Sequence, residues 1–239
     1  MEADLWRQAG IVAGARVADV GCGPGALLPA LADAVGPTGR VTGVDADPAA
    51  VVAARAYTAD RGPVSVREGR AEETGLPPAA FDVVMLRHVL AHNGGREGVI
   101  VEHLSTLLRP GGCLYLLDID GTAVRIMPDD DPDLADLRQR YLTFQSRRGN
   151  DVRAGLRLAD LLGLAGLEVL TFQGRYMINS APPGFRPPSW AGRDAMVRGG
   201  VATAEDVTRW AQALERLDAA PVRPTIFAPL FVAVGRRAG

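Results

Sequence analysis

The sequence predicts an α/β fold, a doubly wound and mostly parallel sheet of seven strands with helices on both faces. Three observations carry this. Short β-branched segments alternate with Ala- and Leu-rich segments over the first two thirds of the chain. A glycine cluster, Gly21-Cys22-Gly23-Pro24-Gly25, lies at a strand-to-helix turn. Phe81 to Leu86 is nearly continuous in apolar residues, as in a strand covered on both faces. Right-handed crossovers then fix the doubly wound order.

The elements follow in order. Arg16 to Val20 is the first strand, and Ala26 to Ala34 a helix with Pro29 tolerated in its first turn. Gly36-Pro37-Thr38-Gly39 breaks that helix before a second strand, Arg40 to Asp45. Pro48 opens a helix running to about Asp60. Val64 to Glu68 and Phe81 to Leu86 are strands three and four. A helix spans about Gly95 to Leu108, Pro110-Gly111-Gly112 stops it, and Cys113 to Asp118 is strand five.

The last third changes character. Residues 120–150 hold Asp129-Asp130-Asp131 and Arg147-Arg148, which read as a solvated, flexible insert. Residues 151–166 read as a helix with Leu156, Leu158, Leu161 and Leu162 towards the core. Glu168 to Phe172 is strand six. Residues 180–200, with Pro182, Pro183, Pro187 and Pro188 bunched beside Phe185 and Trp190, read as a loop. Thr203 to Asp206 resembles a helix-start capping motif, and Val207, Trp210, Leu214 and Leu217 follow at helical spacing. Ile226 to Val234 is the last strand. The expected organisation is one domain over 1–239, with inserts at 120–150 and 180–220 forming a lid or acceptor site.

Composition bounds the function. Of 239 residues, 47% are hydrophobic and 23% charged, a globular mixture that can bury a core without metals or disulfides. The net charge of −2, and the lack of a basic patch interleaved with aromatics, argue against a nucleic-acid partner. No apolar run reaches the ~18 residues of a membrane span, and Met1-Glu2-Ala3-Asp4 does not read as a secretory signal. Cys22 and Cys113 form neither a metal spacing nor a disulfide framework, so a cytoplasmic setting is expected and no metal site. All 26 basic residues are Arg, which removes Schiff-base, lysine-base and P-loop chemistry.

Gly21, Gly23 and Ala26 satisfy a loose G-x-G-x-x-A dinucleotide pattern, a weak signal alone. The neighbours discriminate. Asp19 sets a carboxylate beside the turn, unfavourable to a pyrophosphate and favourable to an ammonium. Pro24 removes an N–H that a phosphate would use. These residues resemble the first motif of the class I S-adenosylmethionine-dependent methyltransferases, small-molecule enzymes of the menaquinone/ubiquinone C-methyltransferase type. Gly69-Arg70-Ala71-Glu72, Phe81-Asp82-Val83-Val84 and Leu108-Arg109-Pro110-Gly111-Gly112 resemble later motifs of that family in the right order, so the resemblance covers roughly residues 10–120.

The resemblance implies a Rossmann-like sheet whose last strand is antiparallel, and S-adenosyl-L-methionine as cofactor. It implies cofactor-binding roles for Asp19, Gly21, Gly23, Gly25, Asp45, Ala46, Arg70, Ala71, Leu86 and Arg87. Asp45 would accept the ribose hydroxyls. The family commonly has Asp where Arg70 stands, which leaves Ala71 to offer a backbone N–H. Relatives often use a His just after strand four and an acid after strand five, which by position are His92 and Asp118. His88 lies one helical turn before His92, so both imidazoles would share a face. His92, His88 and Asp118 are therefore the catalytic candidates, with capping and surface roles as the plain alternatives. His103 sits late in its helix and is a weak candidate.

Met127, Tyr141, Phe144, Tyr176, Met177, Phe185 and Trp190 are candidates to line an apolar acceptor site. The expected function is methyl transfer to a small, partly apolar molecule, with His-assisted deprotonation. One alternative is a protein that binds S-adenosylmethionine and uses its sulfonium without methyl transfer. A nicotinamide-dependent oxidoreductase is third. The chemistry permits a homodimer without requiring one.

Overall fold

Alternation along the central strands builds the sheet. In Val83-Val84-Met85-Leu86, successive side chains point to opposite faces, and all four are buried. Val84 and Leu86 join one core with Ala18, Val20, Leu114 and Leu116. Val83 and Met85 join the other with Val17, Val41, Tyr115 and Leu117. This computed structural model describes residues 2–128 and 131–239. Asp129 and Asp130, part of the acidic run read from sequence, lie outside the described residues.

The element order begins α1 (Glu2–Ala9), β1 (Arg16–Val20), α2 (Leu28–Val35), β2 (Arg40–Asp45), α3 (Pro48–Tyr57) and β3 (Val64–Glu68). It continues with β4 (Phe81–Arg87), α4 (Glu97–Leu107), β5 (Leu108–Ile119), β6 (Arg125–Met127) and α5 (Pro132–Arg147). The rest is α6 (Leu158–Leu164), β7 (Glu168–Ser180), α7 (Pro188–Ala191), α8 (Arg193–Arg198), α9 (Ala204–Ala219) and β8 (Thr225–Arg236).

Among the described residues the sheet has eight strands, not seven. β3, β2, β1, β4 and β5 lie side by side in parallel. β8 pairs antiparallel with β5 on one side and with β7 on the other. The added strand, β6, has three residues and continues the β5 side of β8, pairing Ile126 with Ile226. Three residues are too few to show a period, which is why the sequence did not reveal it.

Local chemistry explains the element ends. Asp47 caps α3 through Ala49 N–H, with Pro48 at the first position. Thr203 and Asp206 form a reciprocal capping box on α9, as the spacing predicts.

The last third departs most from expectation. Residues 132–147, read from sequence as part of a solvated, flexible insert, form a helix. Asp131 accepts N–H bonds from Asp133 and Leu134 and starts the 16-residue helix α5. Residues 180–200 are not all loop, because Pro188 starts α7 and Gly192 separates it from α8. Residues 151–166 form a 3₁₀ turn followed by α6, and Leu156 faces outward at 45% exposure while Leu158, Leu161 and Leu162 are buried.

α5, α7, α8 and α9 assemble a third core around Leu137, Phe144, Met196 and Trp210, which is fully buried. Ion pairs stitch the same helices. Arg209 meets Asp133, Asp136 and Asp206, and Arg140 meets Asp136 and Asp206. Arg216 meets Asp131 and Asp133.

Candidate active site

β1 sits between β2 and β4, so its C-terminal end opens at the middle of the sheet. Gly21 turns the chain there with φ +72°, and its N–H reaches the Val44 carbonyl at 2.7 Å. A Cβ on Gly21 would stand 2.4 Å from the Val89 side chain, so only glycine fits. Gly23 also has positive φ, but a Cβ there would meet nothing within 4 Å. Gly25 packs its backbone against Ala54.

Two carboxylates frame this turn. Asp45, ending β2, accepts from Gly23 N–H at 2.7 Å and from Asp47 N–H at 2.9 Å, one bond per oxygen. Asp19 is 3% exposed. Burial pushes its carboxyl up to about 7, against the pull of the Arg87 guanidinium and with the push of Asp45. Cys22 is pushed up to about 12 by burial and by both carboxylates, so it stays a thiol. Ala46 is exposed just past Asp45, and Leu86 is buried in the sheet. Ala71 packs against the core, whereas the Arg70 side chain turns outward to pair with Glu72 at 2.7 Å.

His88 and His92 do not share an α-helical face. His88 has φ +56°, unusual outside glycine, with its N–H on the Leu117 carbonyl at 2.9 Å. His92 ends a single 3₁₀ turn, Leu90–His92. α4 starts only at Glu97, because Gly94-Gly95 interrupts the run. Both imidazoles nevertheless line one cavity, together with Asp118. Asp118 is 1% exposed and accepts from Ala91 N–H at 3.1 Å and Ile119 N–H at 2.9 Å. Burial raises its carboxyl, while those two bonds and the charges of His88 and His92 oppose the rise. Asp118 thus ties the histidine-bearing turn to the end of β5. His103 stands apart. Its Nε2 lies 2.9 Å from Thr74 Oγ1, and burial lowers its basicity.

The cavity measures about 320 Å³ and is walled mainly by apolar side chains, among them Ile119, Val124, Leu134, Leu137, Leu214 and Leu217. α5, α7 and α9 all contribute to it. Of the apolar candidates read from sequence, only Tyr141 lines it. Tyr176 and Met177 are exposed on the edge strand β7, Met127 is exposed, and Phe144 and Trp190 pack within the third core. Phe185 does not reach the cavity. Sequence reasoning missed Leu134, Arg125, Arg138 and Ser189 in its wall. Asp131-Pro132, a helix-start pair followed by Leu134, Leu137 and Tyr141 at helical spacing, was the signal that would have found the α5 wall.

Known proteins resemble this chain in part of its sequence and in its fold. Residues 17–112 match the family described as "Methyltransferase domain". Nocamycin O-methyltransferase of Saccharothrix syringae is 40% identical over 105 residues, 43% of this chain and 37% of that protein. Aklanonic acid methyltransferase of Streptomyces sp. (strain C5) is 42% identical over 76 residues, 31% of this chain and 34% of that protein. The chain spans less than half the length of these curated relatives. A putative methyltransferase from Bacillus halodurans shares the fold, with a TM-score of 0.63 at 18% identity, over 99% of this chain and 98% of that one. Among the described residues, no helix is long and apolar enough to cross a membrane. The segment that carries the glycine turn and the paired strand-end carboxylates, residues 17–112, is thus similar to a methyltransferase domain.

Proposed function

We propose that this chain transfers a methyl group from S-adenosylmethionine to a small, partly apolar molecule, with His92 taking the acceptor's proton and His88 and Asp118 supporting it. The observation that carries this reading is the apolar cavity of about 320 Å³, with two imidazoles and a carboxyl at the ends of β4 and β5. Its size and lining suit a small organic molecule.

The chemistry of the turn suits the cofactor. Each Asp45 oxygen uses one lone pair on a backbone N–H, so capacity remains for two ribose hydroxyls. Asp19, poised near 7, would ionise beside an ammonium group. Two carboxylates at the turn would repel a pyrophosphate, which disfavours the nicotinamide reading. Gly21, Gly23, Gly25, Ala46, Ala71, Leu86 and Arg87 complete the proposed cofactor surface, and Arg70 contributes through its backbone alone.

When bound, S-adenosylmethionine supplies a methyl carbon made electrophilic by its sulfonium. The chain's residues do the rest. The apolar walls hold the acceptor and exclude water from it. His92 accepts the proton that the acceptor's O–H, N–H or acidic C–H must lose. The Asp118 carboxylate stabilises the resulting imidazolium and, through Ala91 N–H, fixes the turn that carries it. α5, α7 and α9 act as the lid over this site.

The test is an assay of S-adenosylhomocysteine formation and acceptor mass, with aklanonic acid and demethylmenaquinone as first acceptors. A gain of one methyl group is expected with at least one of them. His92→Ala should lower turnover by about 10²–10⁴-fold with S-adenosylhomocysteine binding unchanged. Unchanged turnover would remove His92 from this role. Turnover supported equally by S-adenosylhomocysteine would point instead to a protein that uses the nucleoside without transferring its methyl.

A further inference from the structure

Two guanidiniums on the cavity wall have no place in the mechanism above. Arg125 on β6 and Arg138 on α5 both line the cavity. Arg125 Nη1 donates to the carbonyls of Thr122 at 3.0 Å and Val124 at 2.9 Å. Arg138 Nη1 donates to the same Val124 carbonyl at 3.1 Å. Two like charges therefore converge on one neutral oxygen. Among the described residues neither guanidinium meets a carboxylate, although most other arginines of the neighbouring helices do. Asp131, an acid in the same wall, is taken up by Arg216 and by two backbone N–H groups. Each arginine thus keeps Nε and Nη2 available for another acceptor.

Such a pair is under mutual repulsion, and an anion between them relieves it. Carboxylate is the anion that matches a guanidinium fork, and the surrounding wall is apolar. We infer that Arg125 and Arg138 form a carboxylate-binding subsite, so that the acceptor is an amphipathic organic acid: an apolar body with a carboxylate held by the two guanidiniums. The carboxylate is an anchor and not the methylated atom. A carboxylate carries no proton for His92 to remove, and pairing with two cations lowers its nucleophilicity. The methylated atom is then a separate protonated group of the same molecule. This inference rests on the proposed function only in calling the ligand an acceptor; the subsite itself stands on the two arginines.

The experiment measures binding of 1-hydroxy-2-naphthoate and of its neutral carboxamide by calorimetry, with S-adenosylhomocysteine present and absent. The acid should bind at least about tenfold more tightly than the amide. Arg125→Gln and Arg138→Gln should each reduce that preference, and the double variant should abolish it while the amide's affinity holds. Arg138→Lys, which keeps the charge and the helix, should retain part of the preference. Equal affinity for acid and amide in the unmodified protein, a preference that survives the double variant, or no binding of either compound would overturn the subsite. Failure of S-adenosylhomocysteine to bind, with the acid preference intact, would overturn the methyltransferase reading and leave the subsite standing.

Discussion

The cofactor half of the molecule and the helical cap formed by α5, α7, α8 and α9 are held by different forces. Around the glycine turn, short-range backbone geometry does the work. Gly21 must have positive φ and no Cβ, and Asp45 is fixed by amides two and twenty-two residues away in sequence. In the cap, residues more than seventy positions apart meet: Arg209 with Asp133 and Trp210 Nε1 with Asp136. The first region is specified locally. The second becomes visible only when distant segments are brought together.

Trp210→Ala should have the largest effect on that contrast. The indole is fully buried in the third core and donates to Asp136 at 3.1 Å. Its loss should cost about 3–5 kcal/mol of stability. Chemical denaturation would read this, with acceptor binding lost and S-adenosylhomocysteine binding largely kept. Loss of both together would show that the two halves are one cooperative unit.

The glycine turn gives the next pair. Gly21→Ala adds a Cβ within 2.4 Å of Val89 and forces an L-residue to φ +72°. Together these should cost about 2–4 kcal/mol and at least about a hundredfold in S-adenosylhomocysteine affinity. Gly23→Ala has the same backbone penalty with open space beside it, so about 1 kcal/mol is expected. Equal losses at the two positions would contradict the close approach to Val89.

The smallest effects concern acid. Asp206 and Asp131 have carboxyls held below the ordinary range, overcoming burial, by backbone N–H groups and by arginine partners. Groups lowered in the folded state stabilise it fully above the usual carboxylate range, and that contribution is lost as pH falls through their folded values. Below about pH 4 tryptophan fluorescence from Trp190 and Trp210 should therefore change before the sheet's circular dichroism does. High salt should shift the cap alone. Coincident acid transitions would count against separate control of the two regions.

The same contrast explains what the sequence revealed. β1 to β5 were legible because alternating or continuous apolar runs ended at glycine and proline signals, and the turn because its glycines follow Asp19 directly in the chain and Asp45 ends the next strand. His88, His92 and Asp118 were singled out by position, and they line one cavity, but their convergence depends on a left-handed residue and a 3₁₀ turn, which a helical period misplaces. α5 was hidden because charged residues dominate it; Asp133, Asp136 and Arg140 read as solvated when they in fact pair with residues on α9 or along α5 itself. α7 was hidden by Pro187-Pro188, which looks like a breaker but places proline at a helix start, where its missing N–H is no loss.

Calorimetry of S-adenosylhomocysteine binding near pH 6, in buffers of different ionisation heat, tests the central claim most directly. Asp19 is pushed up to about 7 by burial, so it enters that experiment mostly protonated. An incoming ammonium should expel its proton, giving release of roughly one proton per molecule bound and tighter binding as pH rises towards neutrality. Asp19→Asn should bind more weakly and release none. Absence of binding, or binding of the unmodified protein with no proton released, would contradict the account.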